Sequence, residues 1–227
     1  MEKLNNATAV TGMKETKQQF SSENFYLICD KLSAKDKDLK AIIKSHSYPP
    51  MWTRPATFQT LILFILEQQV SLASAYAAFK KLKEKIGLVT PDKVLKLSDI
   101  ELRTCYFSRQ KIIYARELAT AVKSKKLQIK KLSVLANEEV REQMIKIKGI
   151  GHWTIDVFLM HALQRTDLFP FGDIALVNSL KEVKRLPKDI SREKMLAIAE
   201  SWRPYRTIAS MILWHAYIKK RRIKLQG

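Results

Sequence analysis

Apolar residues recur along this chain at the three- and four-residue spacing of amphipathic helices. No stretch alternates apolar and polar residues for long enough to predict a β-strand. The pattern predicts helices near 22–33, 37–44, 57–69, 72–86, 91–96, 99–105, 109–123, 137–146, 152–164, 173–184, 191–200 and 205–218. We therefore expect an all-α protein.

Prolines and capping residues support these helix limits. The seven prolines fall between the periodic runs, where helices start or stop. Thr90-Pro91-Asp92 combines a capping threonine with a proline in the first turn, and Ser71 and Ser191 stand where caps are needed. The first 20 residues lack helical periodicity and the apolar core of a signal peptide, and we predict a mobile N-terminal arm over 1–20.

The charge of the chain indicates a polyanionic partner. Its 41 Lys and Arg against 22 Asp and Glu give a formal charge of +19. Nucleic acid is the first candidate and an anionic membrane surface the second. The membrane alternative is weak because the longest apolar run, "LILFIL", stops at Glu67, far short of a span. Each lysine cluster, taken singly, is also typical of a helix face that is exposed to solvent.

The two cysteines, Cys29 and Cys105, exclude several kinds of site. They are too few and too far apart for a disulfide framework, a zinc site or an iron–sulfur cluster, which takes four cysteines. We expect free thiols, no iron–sulfur cluster and no required cofactor.

The stretch "IKGIG" at 147–151 interrupts two helical runs. Glycine inside a helix costs about 1 kcal/mol relative to alanine, so Gly149 and Gly151 mark a tight turn. A helix, this turn and a second helix form a helix-hairpin-helix candidate, in which turn amides and a helix N-terminus bind a DNA phosphate. The candidate phosphate contacts are Lys148, Gly149, Gly151 and His152. Taken alone, the two glycines fit an ordinary turn between helices better.

Four further blocks stand in order around this turn: "FQTLILFILEQQVS" at 58–71, "FSRQK" at 107–111, "FPFGDIAL" at 169–176 and "WRPYRTIASMILW" at 202–214. With the hairpin, the series resembles the 3-methyladenine DNA glycosylase II family, the alkylation-repair branch of the helix-hairpin-helix DNA glycosylases. The resemblance runs from about residue 48 to 218. The short family form without the N-terminal β domain is the better match, because no sheet-forming segment precedes the helices.

The resemblance implies a role for each matched position. Asp173 takes the place of the catalytic aspartate. Trp153 and Trp214 take the places of the aromatic residues of the base pocket, with Tyr48 and Trp52 at its edge. The DNA-contacting set, in which Gln69 is the intercalating wedge, is Gln68, Gln69, Ser71, Lys111, Lys148, Gly149, Gly151 and His152. The backbone carbonyls that hold a Na⁺ or K⁺ ion in the family hairpin fall on Ile145, Ile147 and Ile150.

The chain departs from the family pattern at three places. The wedge is polar, His152 stands where many relatives have proline or a basic residue, and Val157 stands in the pocket where some relatives have tyrosine. Each matched residue also has a structural alternative. Asp173 fits a helix cap, the two tryptophans fit a core, and Gln68 and Gln69 fit the end of a helix.

We therefore expect two packed helical subdomains with the active site in the cleft between them. One, formed by 21–57 and 166–227, carries the catalytic aspartate, and the other, 58–165, carries the hairpin. The expected protein is a monomer that binds double-stranded DNA containing alkylated bases, with no membrane partner. It would act on the nucleoid in a prokaryote or in the nucleus of a eukaryote.

The expected activity is hydrolysis of the N-glycosidic bond of an alkylated purine. Relatives that also cut the strand carry a lysine nucleophile where this chain has Trp153, so a monofunctional enzyme that leaves an abasic site is implied. One alternative is a non-catalytic DNA-binding protein that uses the same hairpin. Another is a glycosylase for other damaged bases, and the range among 3-methyladenine, 7-methylguanine, ethenoadenine and hypoxanthine stays open.

Overall fold

The computed structural model describes residues 18–223, which form twelve α-helices and one 3₁₀-helix. Within this range the only extended pairing is an isolated bridge between Gln19 and Arg165. The α-helices are α1 Phe25–Lys35, α2 Lys37–His46, α3 Phe58–Glu67, α4 Leu72–Ile86, α5 Pro91–Lys96, α6 Asp99–Thr104, α7 Arg109–Lys123, α8 Asn137–Met144, α9 His152–His161, α10 Ile174–Val183, α11 Arg192–Glu200 and α12 Arg206–Lys220. The all-α prediction is confirmed.

Side-chain caps set most of the helix starts. Ser71, Thr90 and Ser191 each accept a hydrogen bond from a backbone amide in the first turn of the helix that follows. Asp173 does the same for α10. These residues end the loops at the positions where the sequence predicts new helices.

The 3₁₀-helix Ile129–Val134 was not predicted from the sequence. It buries Ile129 and Leu132, which are three residues apart, and this short spacing lacks the longer period of an amphipathic α-helix. The buried guanidinium of Arg165 holds the segment by donating hydrogen bonds to the carbonyls of Ser133 and Leu135, at 3.0 and 2.8 Å.

The helices pack in two groups around buried apolar side chains. Helices α1, α2, α10 and α12 pack on one another, and α3 packs on α4, α7 and α9, with α8 on α9 and both α5 and α6 on α7. The division into subdomains 21–57 plus 166–227 and 58–165 stays a prediction. Among the helices of residues 18–223, none is both long enough and apolar enough to span a bilayer.

The end of the predicted N-terminal arm is wrong. Phe20 is only 1% exposed, and its amide donates a hydrogen bond to the carbonyl of Gln164. The side-chain amide of Gln19 donates to the carbonyl of Leu163 at 2.7 Å. The buried ring of Phe20 therefore fixes residues 18–20 against the core. Residues 1–17 lie outside the described residues.

Candidate active site and DNA interface

The half-buried carboxylate of Asp173 accepts hydrogen bonds from three donors on three helices. Its Oδ1 accepts from the Leu176 amide at 2.8 Å and from Trp214 Nε1 at 3.1 Å. Its Oδ2 accepts from Trp153 Nε1 at 3.0 Å. A helix cap and two indoles therefore fix one carboxylate at the point where α9, α10 and α12 meet.

The loop before Asp173 turns tightly so that the carboxylate faces the two indoles. The Asp173 amide donates to the carbonyl of Pro170 at 2.8 Å, and the Phe171 amide donates to the carbonyl of Phe169 at 2.8 Å. A Cβ on Gly172 would lie 3.6 Å from Trp153 Cβ, so this part of the loop runs against the start of α9. The "FPFG" block is thus a turn that positions Asp173.

A half-buried histidine, His161, joins the aromatic rings behind Asp173. Its ring stacks on Trp214 with centroids 5.5 Å apart and 28° between planes. Its Nδ1 lies 2.7 Å from the carbonyl oxygen of Trp52, which can only accept, so Nδ1 carries the hydrogen. Trp52 in turn lies 6.2 Å from the ring of His215. The structure thus brings Trp52 and Trp214 together through a residue that the sequence reading missed.

Burial keeps this histidine uncharged. Burial of the ring lowers the pKa of His161 to about 4, outweighing the hydrogen bond to Trp52 that favours the proton. Burial also lowers the pKa of His215. The rings behind Asp173 therefore add no positive charge at neutral pH.

The helical period could have pointed to His161. Trp153, Val157 and His161 are spaced by four residues, which places them on one face of α9. Val157 is buried between the two aromatic residues along this face. The tautomer and the stacking partner, by contrast, depend on chain segments that are distant in sequence.

The hairpin turn joins α8 to α9, and its two glycines differ in what they do. Gly149 has a φ of +93°, and a Cβ there would lie 2.1 Å from Cγ of Tyr114. Gly151 precedes α9 with a φ of −99°, and a Cβ there would meet nothing within 4 Å. Gly149 is therefore required by the fold, whereas Gly151 leaves the backbone open to an approaching group.

Buried side chains and an ion pair hold the hairpin rigid. Ile147 and Ile150 are buried, whereas Lys148 between them is exposed. Arg141 on α8 pairs with Asp156 on α9 at 2.6 Å. Burial nevertheless raises the pKa of Asp156, although the charge of Arg141 opposes the rise. The turn thus presents Lys148, Gly151 and the exposed His152 from a fixed frame.

Gln68 links the end of α3 to this turn. Its Nε2 donates to the carbonyl of Gly149 and to Oγ1 of Thr154, both at 2.9 Å. Gln69, the next residue, is exposed and has a φ of 57°. Of the predicted "QQ" pair, Gln68 therefore binds the hairpin and Gln69 projects from the surface beside it.

Two further predicted DNA contacts have partners within the protein. Ser71 accepts a hydrogen bond from the Ser74 amide at 3.1 Å as the cap of α4. Lys111 Nζ donates to the carbonyl of Leu66 at 2.6 Å, and burial lowers the pKa of this lysine. Contacts of Gln68, Ser71 and Lys111 with DNA stay a prediction.

Tyr48 lies among residues of α1. Its hydroxyl donates to Asp30 Oδ1 at 2.6 Å, and its ring lies 5.1 Å from that of Tyr26. None of these contacts joins Tyr48 to the cluster of Asp173, Trp153 and Trp214. Its place at the edge of the base pocket stays a prediction.

The predicted cation ligands Ile145, Ile147 and Ile150 all lie within the hairpin turn. The Ile147 carbonyl accepts a hydrogen bond from the Ile150 amide at 3.0 Å, and its second lone pair remains for a further partner. Backbone oxygens are the donors that alkali cations take in proteins, so the residues fit such an ion. Over residues 18–223, no three His, Cys, Asp or Glu side chains come together as a metal site.

Comparison with known proteins assigns the fold and its hairpin to one family. Residues 62–204 match the HhH-GPD superfamily base excision DNA repair protein family. The chain is 30% identical over 190 residues to DNA-3-methyladenine glycosylase 1 of Schizosaccharomyces pombe, covering 81% of this chain and 83% of the yeast protein.

Two solved structures agree with this match. The S. pombe 3-methyladenine DNA glycosylase Mag1, in complex with abasic DNA, superposes with a TM-score of 0.78 at 28% identity, covering 88% of this chain and 99% of the other. A DNA-3-methyladenine glycosidase from Bacillus halodurans gives a TM-score of 0.70 at 29% identity, covering 92% and 96%. Because the family match spans residues 62–204, more than half of the chain, the chain belongs to the HhH-GPD superfamily of base excision DNA repair proteins.

Proposed function

We propose that this protein is a monofunctional DNA glycosylase that excises alkylated purines of the 3-methyladenine type from duplex DNA and leaves an abasic site. The observation that carries the proposal is the Asp173 carboxylate, held by Leu176, Trp153 and Trp214 beside a cluster of aromatic rings. A helix-hairpin-helix lies next to this cluster, because Trp153 stands in the first turn of the second hairpin helix.

The chemistry of the substrate explains why one carboxylate suffices. An alkylated purine such as 3-methyladenine carries a positive charge, so it leaves with little help from a general acid. The sugar then gains oxocarbenium character, which a fixed negative charge stabilises. Asp173 supplies this charge, and its three donors hold the carboxylate in place. The same carboxylate can orient the attacking water.

Access to the bond requires that the damaged nucleotide leave the base stack. Gln69, which is exposed beside the hairpin, would fill the gap. The open backbone at Gly151 and the N-terminus of α9 are suited to bind a phosphate and hold the strand during this step.

The aromatic cluster suits a cationic base. Electron-rich indole faces attract a cation, whereas a charged histidine would repel it. His161 stacks on Trp214 and adds no positive charge that would repel such a base, because burial lowers the pKa of its ring to about 4. Val157, small and buried on α9, leaves the pocket without a tyrosine hydroxyl.

Strand cleavage would require an amine that forms a Schiff base with the sugar. Trp153 occupies the position that the resemblance assigns to such a lysine, and its indole instead holds Asp173. The product is therefore an abasic site in an intact strand. The protein acts as a monomer where DNA is found, and the carbonyls of Ile145, Ile147 and Ile150 would hold a Na⁺ or K⁺ ion that stiffens the turn.

The test is a product analysis on duplexes that each contain one damaged base: 3-methyladenine, 7-methylguanine, ethenoadenine or hypoxanthine. Released bases are identified by chromatography, and abasic sites are scored as strand breaks with and without alkali. The proposal expects release of methylated purines and breaks only after alkali. Breaks without alkali would contradict the monofunctional assignment, and no release from any duplex would contradict the enzyme itself.

A further inference from the structure

Tyr106 has a backbone conformation that tyrosine disfavours. It follows Cys105 at the end of α6 with a φ of 63°, in the position where helices usually take glycine or asparagine. Its amide donates to the carbonyl of Arg103 at 2.9 Å. No burial of the ring compensates for this strain, since the residue is 63% exposed. Burial in the core therefore does not explain why a tyrosine stands here.

The exposed ring borders a groove of about 320 Å³ between the end of α3, the start of α4 and the loop between α6 and α7. The other lining includes Leu66, Val70, Ala78 and Lys111. Val70 is 44% exposed and directly follows Gln69 along the chain. An apolar groove with a cationic side chain at its edge suits a nucleobase whose backbone is anionic.

The groove is continuous with the hairpin. Lys111 binds the Leu66 carbonyl at 2.6 Å, and two residues later Gln68 binds the Gly149 carbonyl at 2.9 Å. Tyr114, one turn after Lys111 on α7, packs against Gly149. Hairpin, wedge and groove therefore form one connected surface, and both Tyr106 and Val70 line the groove.

We propose that Tyr106 is a stacking platform for the base that loses its partner when the damaged nucleotide is extruded. This inference rests on the proposed function, since it requires a flipped nucleotide. The orphaned base loses both pairing and part of its stacking, and an aromatic face restores the stacking without reading sequence. The strained conformation of Tyr106 is then retained because it aims the ring at the groove.

Tyr106→Gly separates this role from a structural one, because the two predict opposite effects on stability. Glycine accepts the positive φ without strain, so the melting temperature should stay equal or rise. Affinity for a duplex with a stable abasic analogue should fall about 5- to 100-fold, the effect of losing one base–aromatic stack. Tyr106→Phe should behave as the unchanged protein, and so should Ile100→Ala, which alters a 73% exposed residue on α6.

A fluorescent base reports the contact directly. With 2-aminopurine opposite the abasic analogue, we expect its emission to be quenched by the unchanged protein and by Tyr106→Phe, but not by Tyr106→Gly. Excision of 3-methyladenine from single-stranded DNA, which has no opposite base, should be equal in all three. Equal duplex affinity and equal quenching for Tyr106→Gly would overturn the inference while excision persists. Absence of excision from duplex DNA by every protein would instead overturn the proposed function.

Discussion

At the scale of single residues, Asp173 combines two roles that the sequence presents as alternatives. It caps α10 through the Leu176 amide and also receives the indole N–H groups of Trp153 and Trp214. The cap could be predicted, because a polar residue directly precedes an apolar periodic run. The direction of the two indole donors could not, because it depends on how α9 and α12 pack against the loop. The tryptophans consequently fill the core and hold the carboxylate at once.

Trp153→Phe tests this second role. The change keeps an aromatic ring but removes the donor to Asp173 Oδ2, a hydrogen bond to a charged group worth about 1.5–3 kcal/mol. We expect single-turnover excision to slow by about 10-fold with duplex affinity unchanged.

A matched control exists in Trp202, whose indole donates to Asp36 Oδ2 at 2.7 Å and not to Asp173. Trp202→Phe should lower the melting temperature but leave excision by the folded protein unchanged. If Trp153→Phe and Trp202→Phe behave alike in both measurements, Trp153 has only a packing role.

His161 gives the molecule a pH dependence of stability with a defined sign. Above about pH 6.5 the imidazole is neutral in both the folded and the unfolded chain. Between about pH 6.5 and 4 the unfolded chain binds a proton that the His161 ring of the folded chain does not, so the free energy of unfolding falls as the pH falls. His215, whose pKa is also lowered, acts in the same direction.

The measurement is the melting temperature from pH 7.5 to 4.5 for the unchanged protein and for His161→Phe, which retains a ring against Trp214. We expect the acid-induced decrease to be smaller in the variant. An identical decrease in both proteins would show that His161 titrates normally and is open to solvent.

At the scale of elements, amphipathic period and capping residues were sufficient to predict every α-helix of residues 18–223 to within a few residues. The 3₁₀-helix at 129–134 was missed because hydrogen bonds from Arg165, which is distant in sequence, fix it to the rest of the fold. The hydrogen bond from Gln68 to the hairpin could not be predicted either, since its partner Gly149 lies 81 residues away. Local physics determined the helices, and contacts distant in sequence determined the site.

The two hairpin glycines offer a matched pair of substitutions. Gly149→Ala places a Cβ 2.1 Å from the Tyr114 ring at a positive φ, so we expect loss of several kcal/mol of stability or failure to fold. Gly151→Ala meets open space at an ordinary φ, and as a cap residue it should cost only about 1 kcal/mol.

Thermal melting and DNA titration of both variants check this expectation. If a phosphate approaches the Gly151 amide, Gly151→Ala should weaken duplex binding in a protein that remains folded. Equal melting temperatures for the two variants would contradict the packing of Tyr114 against the turn.

At the scale of the whole molecule, the charge of +19 predicts how the protein meets undamaged DNA. Binding should be weak and steeply dependent on salt, because each neutralised phosphate adds about 0.9 to the slope of log affinity against log salt. Lys148→Ala, at the hairpin turn, should reduce this slope by about one.

Lys220 is the control, because it already pairs with Glu182 at 3.0 Å at the far end of α12. Lys220→Ala should leave the slope nearly unchanged. An affinity that hardly varies with salt would exclude a phosphate-contacting surface and with it DNA as the partner.

In the proposed mechanism the charge of Asp173, and not its capping of α10, drives excision. Asparagine caps helices about as well as aspartate, so Asp173→Asn preserves the bond from Leu176. Its amide nitrogen would face the N–H of Trp153, which costs about 1–2 kcal/mol of stability. Trp153→Phe removes the same hydrogen bond while the negative charge remains, and therefore serves as the reference.

The most direct measurement is single-turnover excision of 3-methyladenine from duplex DNA by Asp173→Asn and Trp153→Phe, with melting curves and binding titrations for both. We predict that Asp173→Asn loses at least about 100-fold in excision rate, well beyond Trp153→Phe, while it still folds and binds the duplex as tightly or more tightly. Near-normal excision by a folded Asp173→Asn protein would show that the charge of Asp173 does not drive excision.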